Sequence, residues 1–193
     1  MLQSFNPCLT ERDVAPSRPG ELIAHDIMSV NPVRGQPSVC LHILVDTFSS
    51  YAFIATYAGK WPSHAASVVR DHVVPEYEAR GIAINTVLTP KHDLFWGKGD
   101  HPYVVCLRQL GIRQLLTYQR PHGNSAYLHR FRKTLEREFL RPKGNTRRFV
   151  SMDEFESELD AWLYAYNHSR PHVGYPNMGE PPATRMPSLG TTD

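Results

Sequence analysis

The chain has 193 residues, of which 41% are hydrophobic and 21% charged, a composition typical of a single globular domain with a sizeable core. The formal net charge is only +2, no apolar run approaches the roughly 18 residues that a membrane span requires, and residues 1–19 are polar with three prolines, which argues against a membrane protein or a secretory signal. The cysteines lie far apart, at Cys8, Cys40 and Cys106, a pattern that predicts reduced thiols and a cytoplasmic protein.

The first half of the chain contains three predicted strands. Residues 1–19 lack hydrophobic periodicity, so we predict that they are a leader or linker. The segments 22–30, 39–45 and 51–57 are apolar, and the middle one alternates with a period of two residues, which is typical of a strand. Because the links between them are short, an antiparallel meander is expected.

Helices then alternate with strands. Apolar residues at helical spacing predict a helix over residues 63–80, which Pro75 must kink or divide. The next elements, in chain order, are a strand at 84–89, a helix at 102–110, a strand at 112–118 and a long basic helix at 124–140.

A capping box, Ser151-x-x-Glu154, predicts the start of a last amphipathic helix, and the chain becomes irregular from Ser169. The order β-β-β-α-β-α-β-α-α predicts an α/β fold with a mixed five-stranded sheet and helices on both faces. We place the domain at residues 20–174 and an irregular C-terminal tail at 175–193.

Positive charge is concentrated in residues 129–148, and an acidic run follows it. This pattern indicates either a solvated helix face or a surface that contacts phosphates. The basic side chains are Arg130, Arg132, Lys133, Arg137, Arg141, Lys143, Arg147 and Arg148. The acidic side chains are Asp153, Glu154, Glu156, Glu158 and Asp160.

Short motifs occur in a fixed order along almost the whole chain. They include His25-Asp26, Asp46-Thr-Phe-Ser-Ser-Tyr51, Ile84-Asn-Thr-Val-Leu-Thr89, His101-Pro-Tyr103, Glu138-Phe139, Tyr166-Asn167 and Arg170-Pro-His172. Together they resemble the integrase core of bacterial insertion-sequence transposases, which are relatives of retroviral integrase. The resemblance implies a ribonuclease H-like fold and phosphoryl transfer on DNA, in which three carboxylates hold two Mg²⁺ or Mn²⁺ ions.

The chain departs from the family pattern at two of the three carboxylates. Asp26 corresponds to the first and is the one metal ligand that the sequence retains. Pro90 stands where the second carboxylate is expected, and His129 stands where the third is expected. Proline offers no ligand, and imidazole suits magnesium poorly, so we expect impaired catalysis and doubtful metal binding.

The sequence leaves two functions open. As an enzyme, the chain would cut and join DNA with a site rebuilt from Asp26, Asp93 and His129. As a non-catalytic module, it would bind DNA or another transposase subunit, or form a homo-oligomer. The predicted DNA-binding side chains are Arg130, Arg132, Lys133, Arg137, Arg141 and Lys143. No glycine-rich phosphate loop is visible, so we predict no nucleotide cofactor, and no membrane partner is expected.

Overall fold

The computed structural model describes residues 16–117, 126–141, 148–174 and 176–188; most of the predicted leader and Lys143 lie outside these ranges. Within them, the predicted five-stranded mixed sheet is confirmed, with the strand order β3-β2-β1-β4-β5. The strands are β1 (Ile23–Val30), β2 (Val39–Asp46), β3 (Ala52–Ala58), β4 (Thr86–Pro90) and β5 (Arg113–Thr117).

Strand β1 lies at the centre of the sheet. It pairs antiparallel with β2, with Asp26 opposite Ile43, and β2 pairs antiparallel with β3, which completes the predicted meander. On its other side β1 pairs parallel with β4, with Ala24 opposite Leu88, and β4 pairs parallel with β5. Any side chain near the middle of β1 is therefore flanked by a strand on either side.

The predicted helix at 63–80 consists of three pieces. Helix α1 (Pro62–Val68) continues through one wide π-helical turn (Val69–Val73) into α2 (Val74–Glu78). Pro75 has no N–H and crowds the carbonyl one turn earlier, so a wider turn directly before it keeps the helix continuous. The kink that the sequence predicts at this proline therefore takes the form of a π-helical turn.

The other helices also follow the predicted order. They are α3 (Pro102–Gln109), α4 (Ala126–Leu135), which continues into a π-helical turn (Glu136–Leu140), and α5 (Met152–His168). The predicted capping box is present, because the Ser151 side chain accepts a hydrogen bond from the Glu154 N–H. None of the helices in the described ranges is long and apolar enough to cross a bilayer.

Two hydrophobic clusters, one on each face of the sheet, form the core. The first cluster joins the sheet to α1, α2 and α3 and is built around Tyr77, Phe95 and Tyr103. The second cluster joins the sheet to α4 and α5 and is built around Phe131 and Phe155. The C-terminal segment 176–188 contains a 3₁₀ turn (Pro182–Arg185), after which Met186 is buried in the first cluster.

A chain of buried polar groups crosses the first cluster. His25 is completely buried, with Nδ1 at 2.9 Å from the Tyr103 hydroxyl and Nε2 at 3.1 Å from Nδ1 of His42. Burial and the adjacent His42 lower the pKa of His25 well below its ordinary value. Burial and the nearby His64 lower the pKa of His42 to about 4. Both rings are therefore neutral at pH 7.

These two histidines predict a loss of stability in mild acid. Between pH 6.5 and about 4 the unfolded chain binds protons that the folded chain does not, so stability falls as the pH falls. Each buried histidine adds about 1.4 kcal/mol per pH unit to the slope. Urea unfolding at pH 5 and pH 6 measures this slope.

We expect His42→Gln to reduce the slope of the unfolding free energy against pH by about 1.4 kcal/mol per pH unit. The reason is that glutamine, unlike this histidine, takes up no proton on unfolding. His72→Gln is the matched control, since the His72 side chain is exposed. An equal slope in the parent and in His42→Gln would contradict a buried, neutral His42.

Candidate functional site

Asp26 lies on the face of the sheet that α4 covers. Side chains alternate along β1, so His25 enters the first cluster and Asp26 points to the opposite face. The Asp26 residue is only 7% exposed, and its Oδ2 accepts a hydrogen bond of 3.0 Å from Nη1 of Arg132 on α4. The carboxylate that the sequence retains is therefore paired with a guanidinium.

Pro90 is the last residue of β4 and is buried. The parallel pairing of β1 with β4 ends at Ala24 with Leu88, and Asp26 and Pro90 each lie two residues beyond it on their strands. Because side chains alternate, both face the α4 layer. The second predicted ligand position thus lies on the same face of the sheet as the first, and it carries a side chain that cannot bind a metal.

His129 is exposed on α4, one helical turn before Arg132. Residues three apart on a helix share one side, so His129 lies on the side of α4 from which Arg132 reaches Asp26. The three predicted positions are therefore supplied by β1, the end of β4 and the start of α4. In place of three carboxylates they hold one carboxylate, one proline and one imidazole.

Asp93, the substitute that the sequence offers for the second carboxylate, lies in the exposed loop after β4. This loop is tied down by a hydrogen bond of 2.8 Å between the Asp93 carbonyl and Nε2 of His101. Across the described ranges, no three or more His, Cys, Asp or Glu side chains are grouped to hold a metal ion, and Asp26, Asp93 and His129 form no such group. With one carboxylate, and that one bound to Arg132, the donor set does not fit a two-magnesium centre.

Among the described residues, the predicted DNA-binding side chains divide into two sets. Arg130, Lys133 and Arg137 are exposed at spacings of three and four residues, so they form one stripe along α4 and its extension, and Arg141 is exposed just beyond. The Arg130 guanidinium lies 4.8 Å from the centre of the Tyr127 ring. Arg132 points inward to Asp26 instead, and Lys143 lies outside the described residues.

The terminal motif joins α4, α5 and the sheet. Arg170 donates a hydrogen bond of 2.8 Å to Glu138. Burial raises the pKa of Glu138, but the hydrogen bonds and positive charges of Arg170 and Arg137 together outweigh it, so the net pKa lies below the ordinary value. The side chain of Asn167 hydrogen-bonds both the N–H and the C=O of Ala52 on β3. These residues therefore stabilise the domain.

His172 packs edge-on against the Tyr166 ring. Burial, together with the charge of Arg170, lowers the pKa of His172 to about 4.

The C-terminal part of the chain is similar to a known protein family. Residues 112–178, which contain β5, α4 and α5, match the integrase core domain family. In a simian T-cell lymphotropic virus intasome, solved in complex with the PP2A regulatory subunit B56 gamma, one chain aligns with 91% of this chain at a TM-score of 0.67 and 18% identity. The chain has the fold of a retroviral integrase catalytic core.

Two further integrase cores agree with this fold. The HTLV-2 integrase catalytic core domain, solved in complex with magnesium in a trimeric form, aligns with 88% of this chain and 98% of its own length, with 14% identity and a TM-score of 0.60. The catalytic core domain of BIV integrase aligns with 86% of this chain and 92% of its own length, with 15% identity and a TM-score of 0.61.

At these identities the likeness to the integrase cores establishes the fold, and the ribonuclease H-like architecture expected from the sequence is confirmed. The chain spans 58% of the length of the aligned intasome chain. No curated protein sequence matches it.

The sequence does not indicate the contacts that give this integrase-core fold its particular site. The sequence groups Arg132 with the predicted DNA-binding side chains, whereas in the structure Arg132 is the partner of Asp26, 106 residues away. The sequence places Asn167 in the terminal motif but does not indicate its hydrogen bonds to Ala52. The available signal was helical spacing: Arg132 lies three residues after His129, so it belongs to the side of the helix that faces the expected site.

Proposed function

We propose that this chain is an integrase-core-like domain of DNA transposition or integration machinery that binds DNA but does not catalyse strand transfer. One observation carries the proposal, the 3.0 Å ion pair between Arg132 and Asp26 at the only retained carboxylate. Pro90 and His129 at the other two positions support it. The resemblance to intasome and trimeric or dimeric integrase cores also supports assembly with further copies or other transposase subunits.

The charge at this site disfavours catalysis. Two-metal phosphoryl transfer needs several carboxylates, because two divalent cations in one small site repel each other unless anionic ligands surround them. Here a single carboxylate is available, and a guanidinium already neutralises it. A cation that approached Asp26 would meet the positive charge of Arg132, so this site disfavours divalent ions.

The exposed stripe of Arg130, Lys133 and Arg137 supports DNA binding. Its spacing presents three cationic groups along about two turns of helix, and phosphate oxygens accept hydrogen bonds from such groups. Contacts of this kind are independent of base sequence. We therefore propose weak, sequence-independent binding to the DNA backbone.

DNA binding should depend on this stripe and on salt. Each lost phosphate contact lowers the slope of log K against log salt by about 0.9, so Lys133→Ala with Arg137→Ala should lower it by about 2. Fluorescence anisotropy with a labelled duplex in EDTA, at several salt concentrations, measures the slope. Lys60→Ala with Arg108→Ala is the control, because it removes the same charge from exposed sites away from α4.

The catalytic half of the proposal has its own experiment. The parent protein is assayed for nicking and strand transfer on labelled DNA with millimolar Mg²⁺ or Mn²⁺, and we expect no product. A metal-dependent product that disappears in Asp26→Asn would refute the loss of catalysis. For DNA binding, an equal slope of log K against log salt in the parent and in Lys133→Ala with Arg137→Ala would refute the proposed surface.

A further inference from the structure

The outer edge of β3 is open along most of its length. This strand ends the sheet, and no other strand of the described chain lies beside it. Asp46 N–H donates to the Tyr51 carbonyl, which makes these two residues a hydrogen-bonded pair. Antiparallel pairs alternate, so the N–H and C=O groups of Ala52, Ile54 and Thr56 point away from β2.

The first of these outward-facing residues is already occupied. The Asn167 amide donates to the Ala52 carbonyl at 2.8 Å and accepts from the Ala52 N–H at 2.9 Å, as a neighbouring strand would. Among the described residues, no hydrogen bond is found for the outward backbone groups of Ile54 and Thr56. Unpaired groups of this kind are a template for an added strand.

A groove runs along this open edge. Its cavity volume is about 370 Å³, and β3 residues from Ile54 to Tyr57 line it. Glu156, Leu159 and Asp160 of α5 form one wall, and His72 from the π-helical turn lies opposite. The groove therefore offers backbone groups along β3 and side-chain walls on both sides, which suits an extended peptide.

The α5 wall of the groove is acidic. Glu156 and Asp160 lie one helical turn apart and are exposed, and no cationic partner for either is found within the described residues. They belong to the acidic run at 153–160, which the DNA-binding proposal leaves unexplained. Successive side chains of a strand point to opposite sides, so a strand added here directs every second side chain to this wall.

We propose that the β3 edge and the acidic wall of α5 bind an extended basic peptide segment of a partner protein as an added strand. The segment would pair with Ile54 and Thr56 through its backbone and would place Lys or Arg at alternate positions against Glu156 and Asp160. This site is separate from the α4 stripe, and the proposal does not depend on DNA binding.

The test uses the full chain and a labelled nine-residue peptide in which Lys and Thr alternate, with an alternating Glu and Thr peptide as the comparison. We expect anisotropy to show binding of the Lys peptide only. Hydrogen exchange should show slower exchange of the Ile54 and Thr56 amides with the Lys peptide. Dimerisation that slows the same amides without peptide would overturn the assignment to a partner protein.

Variants separate the backbone contribution from the charges. Thr56→Pro removes one outward N–H and no bond to β2, so the protein stays folded and the peptide binds about tenfold more weakly. Glu156→Gln with Asp160→Asn should weaken binding about tenfold at low salt. Asp153→Asn, on the same helix but outside the groove, is the control. Binding that neither variant changes would refute the site.

Discussion

Asp46→Ala should destabilise the protein by about 4 kcal/mol, because it leaves a set of buried donors without an acceptor. Asp46 is completely buried at the end of β2. Its Oδ2 accepts hydrogen bonds from the Gly20 N–H at 2.7 Å and the Tyr77 hydroxyl at 2.9 Å. Its Oδ1 accepts from the N–H groups of Phe48 and Ser49 and from the Ser49 hydroxyl.

The Asp46 carboxylate thereby joins three parts of the fold: the segment before β1, the turn between β2 and β3, and α2. Asp46→Asn should cost about half as much as Asp46→Ala, since the amide oxygen can keep the turn while the NH₂ group faces the Gly20 N–H. Tyr77→Phe should cost about 1 kcal/mol, because it removes a single bond.

Urea unfolding followed by circular dichroism gives the three free energies of unfolding. The expected ranking is Asp46→Ala, then Asp46→Asn, then Tyr77→Phe. Asp46→Ala within 1 kcal/mol of the parent would mean that water replaces the carboxylate in this turn, and the account of the Asp46 motif as a structural junction would be wrong.

The second large effect is expected from rebuilding a carboxylate site. The triple variant Pro90→Asp, His129→Glu and Arg132→Ala adds two carboxylates on the face of the sheet that carries Asp26, which makes three. It also removes the cation that is paired with Asp26. Without metal the three anions repel one another, so this variant should be less stable than the parent. Magnesium at one hundred times its dissociation constant should then restore about 3 kcal/mol, since it binds only the folded state.

Comparing variants with and without Arg132 shows how much this guanidinium opposes metal binding. With Arg132 kept, the double variant Pro90→Asp with His129→Glu should respond less to magnesium, because the guanidinium competes for the carboxylates. Asp26→Asn in the triple variant should abolish the response. Thermal unfolding with and without magnesium measures each case, and a strong response of the parent would show that the native site binds metal.

Patterns within short segments were predictable from the sequence. The alternation in β2, the capping box at Ser151 and the proline at position 75 each act within a few residues, and each prediction is confirmed in the structure. The predicted helix at 124–140 is present over Ala126–Leu140, with its last turn widened into a π-helical turn. The fold class followed because the order of such segments limits the sheet topologies available.

Contacts between distant segments were not predictable. Arg132 and Asp26 are 106 residues apart, and Asn167 and Ala52 are 115 apart, so no local pattern marks either pair. Along α4, every basic side chain looks alike in sequence, and only the packing of α4 against β1 separates Arg132 from the exposed stripe. The roles of Asp26 and of the terminal motif can therefore be identified only from the structure.

The second cluster also has a consequence for synthesis of the chain. The meander of β1 to β3 is synthesised before α4 and α5, which cover Leu41 and Ile43, and α5 ends about 110 residues after β3. At translation rates of about 5–20 residues per second, one apolar face of the meander remains exposed for about 5–20 s before α4 and α5 can pack on it. During that interval the nascent chain presents a hydrophobic sheet face to chaperones and to neighbouring chains.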